Sequence, residues 1–357
     1  MNALNLSLEH HQNKQTKKQN EKTLVLPIEL KTQFSLSQIA SEHVAQQRQT
    51  IQNILEGTDP RLMVITGPCS IHDPIAALEY AEKLIQLQSK VQDQIFLVMR
   101  AYIEKPRTTV GWKGLLYDPH LDGSSDMQAG LERSRELYIK IIEMGLPIAS
   151  EILSPMATAY FDDLLAWGAI GARTSESQIH REISSHMPYS IGFKNGTDGS
   201  IQIAMDAIQS ASHAHQFLGM GQSGLPCVLE STGNPCAHLI LRGSNTGTNF
   251  EYTEIQKIQA QYLDKLPALV IDCSHGNSNK NPLNQISVLQ QIIQERVQSQ
   301  VRGVMLESFL VDGNQKISDK MTYGQSITDG CLGWDKMEQL LLGAATALRS
   351  QFFEQSA

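Results

Sequence analysis

The sequence predicts an α/β fold, specifically a (β/α)8 barrel carrying an N-terminal extension and one inserted β-hairpin. Three observations carry that prediction. Short apolar runs recur eight times, helical stretches separate them, and the chain has 357 residues. That length is about 2.4 average domains, but within the range of one barrel with insertions. With 41% apolar and 18% charged residues the chain can bury a full core, which excludes whole-chain disorder and coiled coil.

Taken in order, residues 1–33 read as a polar N-terminal arm, with Leu24 to Ile28 as the one segment able to dock. Residues 34–357 read as the catalytic barrel and its leading helix. That helix starts after Ser35, shows Leu36, Ile39, Ala40, Val44, Ile51, Ile54 and Leu55 on one face, and stops at Gly57. The expected strands are 62–66, 95–99, 147–150, 169–172, 189–193, 238–241, 268–271 and 303–306. Helical stretches such as 75–87, 131–144 and 282–297 lie between them, the pattern of parallel βαβ units. Two further strand-like runs, 215–220 and 225–230, read as the hairpin, between units five and six. Gly219, Gly221 and Gly224 match G-x-G-x-x-G, but the chain continues as a strand where a dinucleotide fingerprint must open a helix. They read as a hairpin turn.

A balance of 29 Lys+Arg against 37 Asp+Glu gives a net charge of −8, which argues against a general binder of nucleic acid or membrane surfaces. Met1 to Lys22 holds neither a signal-peptide h-region nor a span, so a cytoplasmic protein is expected. Five cysteines without CxxC spacing speak for reduced thiols.

In such barrels the chemistry lies at the C-terminal strand ends. The residues just after the apolar runs are Cys69, Arg100, Glu151, Arg173, Lys194, Arg242, His275 and Glu307. A single strand-end cation ordinarily snorkels to solvent. Four of them in an acidic protein imply convergence on a ligand with several negative charges. Cys69 alone would be a small hydrophobe and His275 a satisfied polar group. Together with Glu307 and Asp329, however, they form a mixed soft and hard donor set for one divalent metal, suiting Mn²⁺, Fe²⁺, Co²⁺ or Zn²⁺ better than Mg²⁺ or Ca²⁺.

Several segments together carry a family resemblance: 67–73 (GPCSIHD), 105–114 (KPRTTVGWKG), 168–174 (GAIGART), 192–199 (GFKNGTDG) and 323–329 (YGQSITD). Over roughly residues 24–350 the chain resembles the type I 3-deoxy-D-arabino-heptulosonate-7-phosphate (DAHP) synthases. The resemblance implies condensation of phosphoenolpyruvate with D-erythrose 4-phosphate and water to DAHP and phosphate, the first step of the shikimate pathway. It implies that Arg173 and Arg242 hold the phosphate of phosphoenolpyruvate, while Arg100, Lys105 and Lys194 surround its carboxylate and the reacting centre. Arg107 and Thr108 would hold the phosphate of the second substrate. Cys69, His275, Glu307 and Asp329 would hold the metal that activates the aldehyde. Lys105 would give the proton to the new alkoxide, its pKa expected to be depressed by crowding among other cations. His180 is at most a supporting residue.

The resemblance also implies a homo-oligomer, dimer or tetramer, inhibited by an aromatic amino acid. Residues 152–156 and 186–190 correspond to the family's effector pocket, and Pro155 favours tyrosine. Ser244, Thr248 and Phe250 depart from the family pattern in the loop after Arg242, and Cys273 replaces an aromatic residue in what reads as packing. The nearest competing readings are another metal-dependent barrel aldolase or phosphohydrolase, which would need fewer cations, and a silent anion-binding regulator, which would be expected to lose a metal ligand.

Overall fold

In the computed structural model, which describes residues 21–356, the eight apolar runs form one closed parallel barrel. Its strands are β1 (Leu62–Gly67), β2 (Ile95–Arg100), β3 (Ile148–Glu151), β4 (Trp167–Ile170), β5 (Ser190–Lys194), then, past the hairpin pair β6 (His215–Met220) and β7 (Pro226–Ser231), β8 (His238–Leu241), β9 (Leu269–Asp272) and β10 (Gly303–Glu307). A short pair, β11 (Val311–Asn314) and β12 (Gln325–Ser326), follows. The helices are α1 (Pro27–Gln33), α2 (Gln38–Glu56), α3 (Pro74–Val91), α4 (Met127–Glu143), α5 (Thr158–Phe161), α6 (Gln178–His186), α7 (Ile201–Ala211), α8 (Tyr252–Tyr262), α9 (Asn284–Ser299) and α10 (Trp334–Ser356). The barrel closes where β1 pairs with β10, Met63 opposite Gly303 and Gly67 opposite Glu307.

Local signals explain the boundaries. Ser37 caps α2 by accepting from the Ala40 amide, and Gly57, at φ +82°, ends it in the left-handed conformation that glycine adopts without strain. Asp73 caps α3 by accepting from Ile75 and Ala76, with Pro74 at the first helical position. One strand is displaced from the expected 169–172. Strand β4 ends at Ile170, because the Gly171 carbonyl accepts from the Thr174 and Ser175 amides and turns the chain. Gly219 to Gly224 lie at the tip of the β6–β7 hairpin, whose antiparallel register runs from His215–Ser231 to Met220–Pro226.

Residues 1–20 of the expected arm lie outside the described residues. Of its remainder, Pro27–Gln33 form α1, whose Leu30 is fully buried. The Ile28 amide donates to the Gln222 carbonyl at the hairpin tip, and Lys31 pairs with Asp162. Buried Arg135 donates to the Phe34 carbonyl and forks onto Asp163. Among the described residues no helix is long and apolar enough to cross a membrane. All five cysteines are free.

One core histidine sets a pH response. His238, at the start of β8, accepts from the Trp167 indole at 3.1 Å, so its proton sits on Nδ1 and is donated to the Cys236 carbonyl at 2.9 Å. Burial pushes its pKa from 6.5 down to about 4. A histidine depressed in the fold adds nothing above the unfolded pKa, and stability is lost as pH falls from 6.5 towards 4. The loss expected from this group is about 3 kcal/mol. Denaturant titrations of wild type and His238→Gln between pH 7 and 4 should show a shallower decline for the variant. Parallel profiles would refute the assignment.

Candidate active site

The strand-end side chains converge at the C-terminal mouth of the barrel. Cys69, fully buried beyond β1, places Sγ beside the carboxylates of Glu307 and Asp329, and the three donor atoms lie within 4.8 Å of one another. Gly67 makes this approach feasible, since a Cβ there would stand 2.2 Å from the Arg100 carbonyl oxygen. Three of the four expected metal ligands are thus together. The fourth, His275, sits at φ 52° with Nδ1 2.9 Å from Asp272 Oδ2, outside that group of three. That nitrogen faces the Asp272 carboxylate, and among the described residues it makes no hydrogen bond of regular geometry.

Each cation near the acid cluster is paired. Arg100 donates to the Pro68 and Cys69 carbonyls and to Glu307 at 3.0 Å. Lys194 donates to Asp272 at 2.8 Å. Lys105 reaches Cys69 Sγ at 2.9 Å and Asp329 at 2.8 Å. The expected depression of Lys105 is therefore corrected. Burial works to lower its pKa, but the facing Cys69, Asp329 and Glu307 outweigh it and hold the ammonium above its ordinary value. Burial alone would raise Glu307; Arg100 and His275 reverse that and keep it ionised. Burial pushes the Cys69 thiol up, with Glu307 adding to the effect.

Among the described residues the arginines farther out have no carboxylate partner. Arg242 is 8% exposed, and its buried Nη1 has no hydrogen-bond partner. Burial lowers its pKa, and the charge of Arg173 adds to the effect. Arg173 donates to Thr108 at 2.9 Å, and Arg107 donates to the Trp112 carbonyl at 2.8 Å. A buried guanidinium without an anion is an unsatisfied donor, so this end of the mouth is built for one. The loop beyond Arg242 accommodates its departures from the family pattern: Gly243 takes φ +70°, and Ser244 Oγ accepts from the Thr246 and Gly247 amides. Phe250 is buried, and Cys273 packs in the core.

Asp272 is the main residue that strand-end reading missed. Only 1% exposed, it faces both Lys194 and His275 and accepts from the Ser274 amide. An acid closing the buried run 269–272 was the available signal. His180 is bonded at both nitrogens, to Ser177 Oγ and the Leu153 carbonyl, and serves the packing of α6.

A parallel barrel with a soft-and-hard donor cluster next to unpaired arginines defines an enzyme acting on phosphorylated anions. The chain matches the DAHP synthetase I family over residues 31–342 and belongs to it. It is 44% identical over 329 residues to the Tyr-sensitive phospho-2-dehydro-3-deoxyheptonate aldolase of Escherichia coli K12, covering 90% of this chain and 92% of that protein. It is 43% identical over 349 residues to the Phe-sensitive enzyme of the same organism, covering 96% and 99%. The solved phospho-2-dehydro-3-deoxyheptonate aldolase of Francisella tularensis superposes with a TM-score of 0.90 at 44% identity, covering 92% of this chain and 98% of that one. The reaction is the condensation of phosphoenolpyruvate with erythrose 4-phosphate and water to DAHP and phosphate, the first step of the shikimate pathway. Enzymes of the family are generally metal-dependent, and the Cys69, Glu307 and Asp329 cluster is a candidate site for the ion.

Proposed function

We propose that the mouth divides between its two substrates as its charges do, the carrying observation being the buried, unpartnered Nη1 of Arg242. Arg242 and Arg173 take the phosphate of phosphoenolpyruvate; Arg100, Lys105 and Lys194 border its carboxylate and reacting carbons. Arg107 and Thr108 take the phosphate of erythrose 4-phosphate. Cys69, Glu307, Asp329 and His275 would hold one divalent ion, and the pairing of a thiol with an imidazole and carboxylates favours Mn²⁺, Fe²⁺, Co²⁺ or Zn²⁺. That ion supplies Lewis-acid polarisation of the aldehyde oxygen. C3 of phosphoenolpyruvate forms the new carbon–carbon bond, water adds at C2, and phosphate departs from C2. Lys105, held protonated by its anionic neighbours, gives its proton to the alkoxide.

The division is tested by kinetics. Arg107→Ala should raise the erythrose 4-phosphate KM about tenfold or more while sparing that of phosphoenolpyruvate, and Arg242→Ala should do the reverse. Equal shifts in both variants would overturn it. Phosphate release that requires both substrates separates this reading from a phosphohydrolase.

Inhibition by an aromatic amino acid, tyrosine through Pro155, is the regulatory reading, in a cytoplasmic homo-oligomer. Support comes from the contact between residues 152–156 and the active-site loop. The Ser154 amide donates to Glu104, next to Lys105, at 3.3 Å, and burial pushes the Glu104 carboxyl up to about 7. Removing residues 1–33 takes Leu30 out of the core and α1 off the hairpin, and should weaken inhibition while leaving the mouth intact. Rates of truncated and full-length enzyme against each aromatic amino acid check this; unchanged inhibition would show that the arm has no part in it.

A further inference from the structure

The pole opposite the mouth carries a second concentration of guanidinium groups that the reaction does not use. A cavity of about 420 Å³ opens there, between the starts of β1, β2 and β10 and the ends of α9 and α10. Arg61, Arg296 and Arg302 line it, with Gln94, Gln300 and Leu348. Arg61 is committed to Asp59, and the one lining carboxylate, Asp93, is bound by Arg349. Arg296 and Arg302 face no carboxylate among the described residues. Arg296 anchors Nε on the Val301 carbonyl and one terminal nitrogen on the Pro60 carbonyl, leaving the other terminal nitrogen free. Arg302 makes no side-chain hydrogen bond to the described residues and packs against Gly57, where an added Cβ would come within 2.5 Å of its guanidinium.

Two half-buried like charges lining one cavity are unfavourable unless something negative joins them. Their mutual influence is visible: burial, and after it the charge of Arg302, push Arg296 down to about 10. Paired guanidinium forks match the oxygens of a phosphate. The cavity exceeds the volume of a phosphate alone, and Val297, Val301 and Leu348 supply an apolar wall beside the cations.

We propose that this pole is a second anion site, in which Arg296 and Arg302 bind the phosphate of a small phosphate monoester whose carbon skeleton lies against Val297 and Leu348. The site is separate from the mouth and does not depend on the assignment of roles there. The competing explanation is that Arg302 merely opposes the negative end of the α2 helix dipole.

Equilibrium dialysis of the full-length enzyme at fixed ionic strength tests this, with glycerol 3-phosphate and inorganic phosphate as probes. Wild type should bind one more equivalent of glycerol 3-phosphate per chain than Arg302→Gln, with kcat and both KM values unchanged in the variant. At this extra site glycerol 3-phosphate should bind more tightly than inorganic phosphate. Arg302→Lys keeps the charge at the helix end but gives up the fork, so it should retain wild-type melting and bind the extra equivalent about tenfold more weakly. Equal stoichiometry in wild type and Arg302→Gln would overturn the site. Tighter inorganic phosphate would overturn the monoester. Should Arg302→Gln fail to fold, undiminished binding by Arg302→Lys would overturn the fork.

Discussion

Cys69→Ala is expected to lower kcat/KM by about a thousandfold or more while the barrel remains folded. A factor of that size corresponds to about 4 kcal/mol of transition-state stabilisation, within the range a lost Lewis acid can account for. Cys69 Sγ is the only soft donor in the cluster, whereas Glu307 and Asp329 are oxygen donors. Removing it leaves Lys105 still paired with Asp329 and Arg100 still paired with Glu307, so the fold loses little. Chelator-treated wild type should match the variant, and the variant should retain less than one equivalent of metal per chain after dialysis. Steady-state rates, metal analysis and circular dichroism together check this. Full turnover by metal-stripped enzyme would refute the assignment.

Asp272→Ala should damage stability most. It strands the Lys194 ammonium, 6% exposed, without its carboxylate, and frees His275 from its neighbour. Breaking a buried ion pair on one side costs about 3–5 kcal/mol, whereas replacing both partners by apolar groups of similar volume is far milder. The double variant Asp272→Leu/Lys194→Met should therefore be more stable than Asp272→Ala, though inactive. Burial alone would raise the Asp272 carboxyl, but His275 and Lys194 hold it well below 3.8. Its stabilisation is accordingly complete above the ordinary carboxylate range and disappears only as pH falls far below it. Denaturant midpoints of the three proteins decide the matter, and a single variant losing under about 1 kcal/mol would show that the pair is not buried in the way described.

The strand-end rule made most of the mouth legible, because a continuous apolar run ends where the backbone leaves the barrel, and the next residue must face the mouth or the solvent. Cys69, Arg100, Lys194 and Glu307 follow directly from it. Arg173 stands instead on the turn that Gly171 starts, since Gly171 and Ala172 extend the apolar run past the true end of β4. The sign of the Lys105 shift was not legible. Strand ends reveal which charges share a mouth but not which touch, and Asp329, on a loop 224 residues from Lys105, lies 2.8 Å from its ammonium. The three-donor cluster was legible as residue types, while the position of His275 depends on a positive φ that only the folded loop fixes.

The seam between β1 and β10 has a consequence for synthesis of the chain. Cys69 and Asp329 are separated by 260 residues, and Arg100 and Glu307 by 207, so the candidate metal site comes together only across the closure. Until the last strand leaves the ribosome, β1 presents an unpaired edge and the thiol has no carboxylates near it. A nascent or C-terminally clipped chain cannot then hold the ion in this arrangement, however well its early βαβ units have formed. Tight metal retention becomes a report on barrel closure, and its appearance during refolding should lag behind helix formation and coincide with the last step.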